Sequence, residues 1–340
     1  MMYKVLRYFL FMLSPEVAHW ITLSFLNILN FFGLLKIVFP KINGRSIDIM
    51  GLSFNNPVGI AAGLDKNGDY IDCLAALGVG FIEVGAVTPK SQYGNPKPRL
   101  FRIKEKQALI NRMGFNNKGI DYVVKKLKQR KTKCIVGVNL SKNKETPLTQ
   151  AHEDYIFCLT KIYPYADFVT LNISSPNTPG LRELQAEIYL INLLTNFIKK
   201  RNALVKIYNK SLPVLIKIAP DLTQAEVQEI VSIAIKIPIE GIIVTNTSIQ
   251  RPEVSEYKNA HQSGGLSGTP IKELSTQILQ WVIAASEKKL AVIAVGGIDS
   301  VNEATKRFQA GANLIQIYTG LVYQGPKLVR EIILKSNSYE

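Results

Sequence analysis

Between residues 57 and 318 the chain repeats one unit eight times. A short, almost wholly apolar run stops at a glycine or polar residue and gives way to a stretch of helical periodicity. The runs are 57–62, 81–87, 135–140, 168–173, 214–219, 241–245, 291–295 and 314–318, with helical patterns such as 223–235, 271–286 and 300–310 between them. Runs this apolar predict strands buried on both faces, and their alternation with helices predicts a parallel sheet. Eight such units over about 280 residues predict an α/β fold of the (β/α)8 barrel type, the TIM barrel. A doubly wound open sheet is the alternative, weakened because no GxGxxG turn follows the first strand. Residues 47–54 alternate around Gly51 as a small hairpin, and the excursion over 90–113 predicts a second hairpin laid over the barrel mouth.

Residues 1–41 do not follow this rhythm and form a segment of their own ahead of the barrel at 42–340. Ser14-Pro15 reads as an N-cap with proline in the first helical turn, dividing the segment into two helices. In the second, Glu16, His19, Asn27 and Asn30 form a narrow polar stripe, and Val17, Trp20, Ile21, Phe25, Leu26, Ile28, Leu29 and Phe32 fill the remainder. No small-residue cleavage site follows the first apolar run, so a signal peptide is not expected. The uncharged run from Trp20 to Leu35 is shorter than the about 20 residues a spanning helix needs. The pattern fits an amphipathic helical extension in the membrane interface; a helix pair packed on the barrel is the competing reading. Lys4, Arg7, Lys36, Lys41 and Arg45, opposed before Asp48 only by Glu16, predict attraction to an anionic membrane surface.

The whole chain carries 41 basic and 26 acidic residues, a formal charge of +15. That excess favours an anionic partner, whether lipid, nucleic acid or a phosphorylated or carboxylate ligand. No basic stripe interleaved with aromatics is present, so nucleic acid is not the expected partner. Cys73, Cys134 and Cys158 are odd in number and lack a CxxC, which suits free thiols in a reducing compartment. His19, His152 and His261 are too dispersed to suggest a zinc site, and no metal is expected.

In a (β/α)8 barrel the C-terminal strand ends converge on one site. Here they bring Gly63-Leu64-Asp65-Lys66, Asn139, Asn172, Lys217, Thr245-Asn246-Thr247, Gly296-Gly297 and Tyr318-Thr319-Gly320. The stretch Asn172-Ile173-Ser174-Ser175-Pro176-Asn177-Thr178-Pro179-Gly180 sets out amides and hydroxyls on a backbone pinned by proline. Lys217 lies inside an apolar strand, where an ammonium is costly unless an anion meets it or it snorkels to solvent. Glycine-rich turns at 264–268, 296–297 and 320 predict backbone N–H groups that hold the phosphate of a cofactor.

These residues resemble the dihydroorotate dehydrogenase family, in its quinone-dependent, membrane-associated class 2, over essentially the whole chain. The motifs that carry the resemblance are Ala61-Ala62-Gly63-Leu64-Asp65-Lys66, Asn111-Arg112-Met113-Gly114-Phe115-Asn116-Asn117, Asn172 through Thr178, and Gly264-Gly265-Leu266-Ser267-Gly268. The resemblance implies FMN as cofactor, oxidation of dihydroorotate to orotate in pyrimidine synthesis, a membrane quinone as electron acceptor, and quinone access between the two N-terminal helices. It also implies a peripheral protein on the cytoplasmic face of a bacterial inner membrane. By the same resemblance Ser175 is the base that takes the C5 proton while hydride leaves C6 for the flavin, with Thr178 and water carrying the proton onward. Serine there, where the soluble class has cysteine, supports the membrane class. Substrate would be bound by Lys66, Asn111, Arg112, Met113, Gly114, Phe115, Asn172, Asn177, Asn246 and Thr247. FMN would be bound by Ala62, Gly63, Leu64, Asp65, Lys66, Ala86 and Asn139, and by Asn172, Lys217, Thr245, Gly268, Gly297, Tyr318 and Thr319. Ala86 departs from the family pattern, in which a hydroxyl residue commonly follows the glycine, and offers only its backbone. Other FMN barrels, such as hydroxy-acid oxidases and ene-reductases, usually present histidine at the active face. A membrane-binding protein without catalysis would not need the Asn-Ser-Asn constellation.

Overall fold

A computed structural model describes residues 2–251 and 253–337. The strands, in chain order, are β1 (Ile47–Ile49), β2 (Leu52–Phe54), β3 (Val58–Ile60), β4 (Phe81–Val87), β5 (Leu100–Ile103), β6 (Ala108–Asn111), β7 (Ile135–Leu140), β8 (Phe168–Asn172), β9 (Val214–Ile218), β10 (Gly241–Val244), β11 (Gly265–Gly268), β12 (Ala291–Val295) and β13 (Leu314–Ile317). Eight of them close a parallel barrel in the order β10-β12-β13-β3-β4-β7-β8-β9. All eight predicted apolar runs are barrel strands, and the closed sheet rules out the doubly wound alternative.

The barrel interior is layered by the two-residue alternation of its strands. A lower layer holds Phe81, Phe168, Leu215, Ile243, Ile293 and Leu314 in one buried cluster, with Phe54 from the β1–β2 hairpin stoppering the floor. Gly59 and Gly137 leave the space the aromatic rings take: a Cβ at Gly59 would lie 2.4 Å from Phe81 Cζ, and one at Gly137 2.0 Å from Phe168 Cζ. Two residues further along most of the strands the interior turns polar, with Glu83, Asn139, Thr170, Lys217 and Gln316 all buried, while Ala61 and Val295 keep it apolar at β3 and β12. Helices such as Gln224–Lys236, Lys272–Ser286 and Val301–Gln309 cover the outside. The first of these opens with a capping box between Thr223 and Glu226.

The excursion over 90–113 forms β5 and β6, as predicted, but gains a third member. β11 pairs antiparallel with β6, Gly265 opposite Asn111 and Gly268 opposite Ala108. The Gly264-to-Gly268 stretch, expected as a glycine turn, is thus mostly the edge strand of a cap. Gly268 still reaches the space beneath it.

At the N-terminus three helices form: α1 (Met2–Leu10), α2 (Pro15–Phe31) and the unforeseen short α3 (Leu34–Val38). Ser14 is the residue before α2, but its side chain makes no cap hydrogen bond. The first two residues of the α2 polar stripe face the barrel, Glu16 pairing with Arg99 of the β5 approach at 3.2 Å and His19 reaching the Leu64 backbone, while Asn27 is exposed. Its apolar remainder is divided: Leu26 and Leu29 pack against the core, while Trp20 is 63% exposed, Phe25 54% and Phe31 82%. α2 thus docks through Ala18, Leu23, Leu26 and Leu29 together with Glu16, and still leaves large apolar side chains outward on α2 and α3. α1 is latched by Tyr3, whose hydroxyl donates to the Val322 carbonyl at 2.7 Å, and by Arg7, which donates to the Tyr323 carbonyl at 2.5 Å. The Arg102 guanidinium lies 4.4 Å over the Phe11 ring and donates to the Leu13 carbonyl at 2.8 Å. Arg7, expected to face lipid, therefore holds α1 to the barrel. Among the described residues no helix is long and apolar enough to cross a membrane.

Candidate active site

The cavity lies between the barrel's C-terminal strand ends and the β5–β6–β11 cap, with about 1110 Å³ of empty space out to its open mouth. One wall is built of amides. Asn177 donates to Asn111 Oδ1 at 3.1 Å, and Asn246 donates to Asn172 Oδ1 at 3.2 Å and to Ser174 Oγ at 3.0 Å. Asn111 hangs from the cap and Asn172 ends β8, so cap and barrel meet across these side chains.

Ser174 and Ser175 are adjacent but differently used. Ser174 is sealed off, its hydroxyl between Asn172 and Asn246. Ser175 lines the cavity, and its Oγ accepts the Asn177 N–H at 3.3 Å. The loop is held by Arg182, which donates to the Ser174 carbonyl at 3.2 Å and the Thr247 carbonyl at 3.0 Å and pairs with Asp221 at 2.8 Å. Such a clamp across two strand ends fixes the Ser175 position without touching it.

Two lysines supply the positive charge. Lys66 Nζ donates to the Gly63 carbonyl at 2.7 Å. Loss of hydration and the Arg99 guanidinium bring its ammonium down to about 8, opposed by Glu16 and Asp65. His19 reaches in from α2 and is held down to about 3 by burial and by the Lys66 charge, against a hydrogen bond to the Leu64 backbone. Lys217 is 5% exposed and has no hydrogen bond or ion pair among the described residues. Its pKa is lowered by burial, with the Glu83 carboxylate pulling the other way.

The opposite end of the cavity is backbone. Among the described residues the N–H groups of Gly296 and Gly297 find no acceptor, and both glycines line the cavity. The Gly296 carbonyl is anchored from behind by Ser275 at 3.0 Å and Arg307 at 3.1 Å, which fixes the turn. Gln316 Oε1, also on this cavity, is buried without a partner. Unpaired N–H groups suit a phosphate, and an unpaired cation with an orphan acceptor suits a polar aromatic ring; the residues present fit a flavin nucleotide.

The comparisons with known proteins agree with this geometry. The family described as dihydroorotate dehydrogenase matches residues 46–338. A dihydroorotate dehydrogenase (quinone) of Coxiella burnetii (strain Dugway 5J108-111) is 50% identical over 333 residues, covering 98% of this chain and 96% of that protein. One from Psychrobacter arcticus is 48% identical over 339 residues, covering 100% of this chain and 98% of that protein. The crystal structure of DHODH in complex with ferulenol from Eimeria tenella superposes with a TM-score of 0.85 at 37% identity, over 94% of this chain and 89% of that one.

The chain belongs to the dihydroorotate dehydrogenase family.

Most residues that the family motifs nominate lie together. Lys66, Asn111, Met113, Gly114, Phe115, Asn172, Ser175, Asn177, Asn246 and Thr247 line the cavity, as do Ala62, Gly63, Ala86, Lys217, Thr245, Gly268, Gly297, Tyr318 and Thr319. Four do not line it. Leu64 belongs to the buried core. The Asp65 carboxylate accepts the N–H groups of Asn67, Gly68, Asp69 and Tyr70, folding its own turn. Arg112 turns outward, over the Phe101 ring at 4.6 Å and onto Gln262 at 2.7 Å. Asn139 lies one layer down, donating to Glu83 and accepting from Asn172. Sequence reasoning for this dihydroorotate dehydrogenase family member missed Gln316, Leu100, Leu109 and Ser267 in the lining, His19 beside Lys66, and the Arg182 clamp. Gln316 carried the same signal as Lys217, a polar residue inside an apolar strand.

Proposed function

We propose that this chain oxidises dihydroorotate to orotate on FMN held in the barrel-top cavity and passes the electrons to a membrane quinone. The observation that carries this is the single wall on which Asn111, Asn172, Asn177 and Asn246 surround Ser175. Amides both donate and accept, which matches the alternating N–H and C=O groups of a dihydropyrimidine ring. When bound, FMN supplies the two-electron acceptor for the hydride leaving C6. Ser175 takes the C5 proton, and Thr178, buried in the same loop, lies on its way out with water. Lys66 meets the substrate carboxylate. Lys217, with no hydrogen bond or ion pair among the described residues, faces negative charge that develops on the cofactor ring. Gly296, Gly297 and Gly268 hold the phosphate, and Ala86 contributes backbone only.

The outward apolar surface of α2 and α3 is the membrane-association and quinone-access element, with Lys4, Lys36 and Lys41 toward anionic lipid. In this reading residues 1–41 serve the quinone and residues 42–340 the flavin and substrate. The protein sits peripherally on the cytoplasmic face of a bacterial inner membrane, and nucleic acid is not a partner. Removing residues 1–40 tests the division. Anaerobic flavin reduction by dihydroorotate is expected to persist, while sedimentation with anionic liposomes and reoxidation by a long-tailed quinone in them collapse. Full quinone turnover by the truncated protein refutes the assignment, and fumarate or NAD acting as the better oxidant refutes the quinone class.

A further inference from the structure

Below the cavity floor the barrel axis carries a fully buried carboxylate, Glu83 on β4, one alternation above Phe81. Both of its oxygens are engaged: Asn139 Nδ2 donates to Oε1 at 2.7 Å, and Gln316 Nε2 donates to Oε2 at 2.5 Å. An apolar side chain there would fill the barrel at less cost than a buried charge, so packing alone does not account for Glu83.

A carboxylate only accepts hydrogen bonds, whereas a carboxamide has one end that donates and one that accepts. Glu83 therefore decides which end of each neighbouring amide it sees. Asn139 must turn its NH2 group inward, which leaves Oδ1 to accept from Asn172 Nδ2 at 3.0 Å. Asn172 in turn presents Oδ1 to Asn246 Nδ2 at 3.2 Å. One anion thus sets the facing of three amides in sequence, and the last two line the cavity. Gln316 is constrained the same way, and its Oε1 is left buried and unpaired in a cavity-lining residue. The same carboxylate is the anion that the otherwise partnerless Lys217 feels inside the barrel.

We propose that Glu83 is a positioning residue of the ligand site: it fixes the orientation of the Asn139, Asn172 and Asn246 amides and balances the Lys217 ammonium on the barrel axis. The proposal rests on the reading of this cavity as an FMN and dihydroorotate site.

Glu83→Gln keeps the volume but turns one oxygen into a donor. An NH2 group then faces the NH2 group of Asn139 or of Gln316, relieved only by reversing that amide: reversal at Asn139 passes along the row to Asn246, and reversal at Gln316 turns an NH2 group toward the cavity. Lys217 also loses its anion, which favours negative charge on the reduced flavin. In the FMN-loaded variant the orotate dissociation constant, read from the flavin difference spectrum, is expected to rise at least tenfold. The two-electron midpoint potential is expected to rise by about 30 mV, a tenfold change in the reduction equilibrium. An FMN-loaded Glu83→Gln protein that binds orotate within twofold of the parent, at an unmoved potential, overturns the proposal. Should that variant not fold, Glu83→Asp decides. It keeps the charge and withdraws the oxygens, so orotate binding should weaken while the potential holds, and unchanged orotate binding overturns the orienting role. Parent protein that takes up no flavin, or shows no spectral response to orotate, would sink the enzymatic reading itself before any variant is compared.

Discussion

Replacing Arg307 by methionine probes how the glycine end of the cavity is held. Arg307 is 1% exposed and pairs with Glu303 at 3.1 Å, itself 5% exposed. It donates to the Lys272 carbonyl at 3.0 Å, Ser275 Oγ at 3.0 Å and the Gly296 carbonyl at 3.1 Å, and to Thr276. Burial lowers its pKa, and Glu303 and Glu273 oppose that shift. Methionine fills most of the volume but leaves the Glu303 carboxylate only the half-exposed Lys306 at 3.8 Å, and breaking a buried pair in this way costs about 3–5 kcal/mol. At about 1.4 °C per kcal/mol for a chain of this size, the melting temperature should fall by about 4–7 °C. FMN should also be held more loosely, because the Gly296 turn loses one of its two anchors. The double variant Arg307→Met with Glu303→Leu removes both charges and should regain most of the stability without regaining the flavin affinity. Thermal melts and FMN titrations of the flavin-free proteins measure the two effects separately. A single variant within about 1 kcal/mol of the parent, or a double variant as unstable as the single, would refute this account of the buried pair.

Ser175→Ala should still bind FMN and orotate but slow flavin reduction by dihydroorotate at least about a hundredfold in stopped flow, since general-base catalysis contributes that much. Near-parental bleaching would move the base elsewhere. Lys66, brought down to about 8, makes a pH prediction. Between about 8 and the ordinary lysine value of 10.5 the folded chain binds fewer protons than the unfolded one, so stability rises with pH through that window. Orotate affinity goes the other way and should fall toward tenfold per pH unit once Lys66 loses its proton. A flat orotate affinity from pH 7 to about 10 would remove Lys66 from the carboxylate site.

The barrel was legible because parallel strands buried on both faces read as nearly continuous apolar runs, and eight of them recur here between helical stretches. The cap's third strand was not, because Gly265-Leu266-Ser267-Gly268 has neither the apolar run nor the alternation of a half-buried strand. The N-terminal polar stripe was visible at helical spacing, but not that its Glu16 end faces the barrel; Arg99, eighty-three residues away, supplies the partner that turns Glu16 inward. Motif membership located the site and did not give side-chain direction. Asp65 and Arg112 stand in the most recognisable motifs yet turn from the cavity, one to cap its own turn and the other to stack on Phe101. Glu83, absent from the sequence-based site, stands two residues after Phe81, the same interior step by which Lys217 follows Leu215. Aligning the strands on their interior register would have found it.

The central claim is that this cavity takes two electrons from dihydroorotate onto a bound flavin. The direct measurement is the visible spectrum of the purified full-length protein, titrated with dihydroorotate in the absence of oxygen. A yellow protein whose flavin bands bleach with about one equivalent of dihydroorotate, releasing orotate, is the predicted result. A protein that stays colourless after incubation with FMN, or a bound flavin that excess dihydroorotate leaves oxidised, would contradict it.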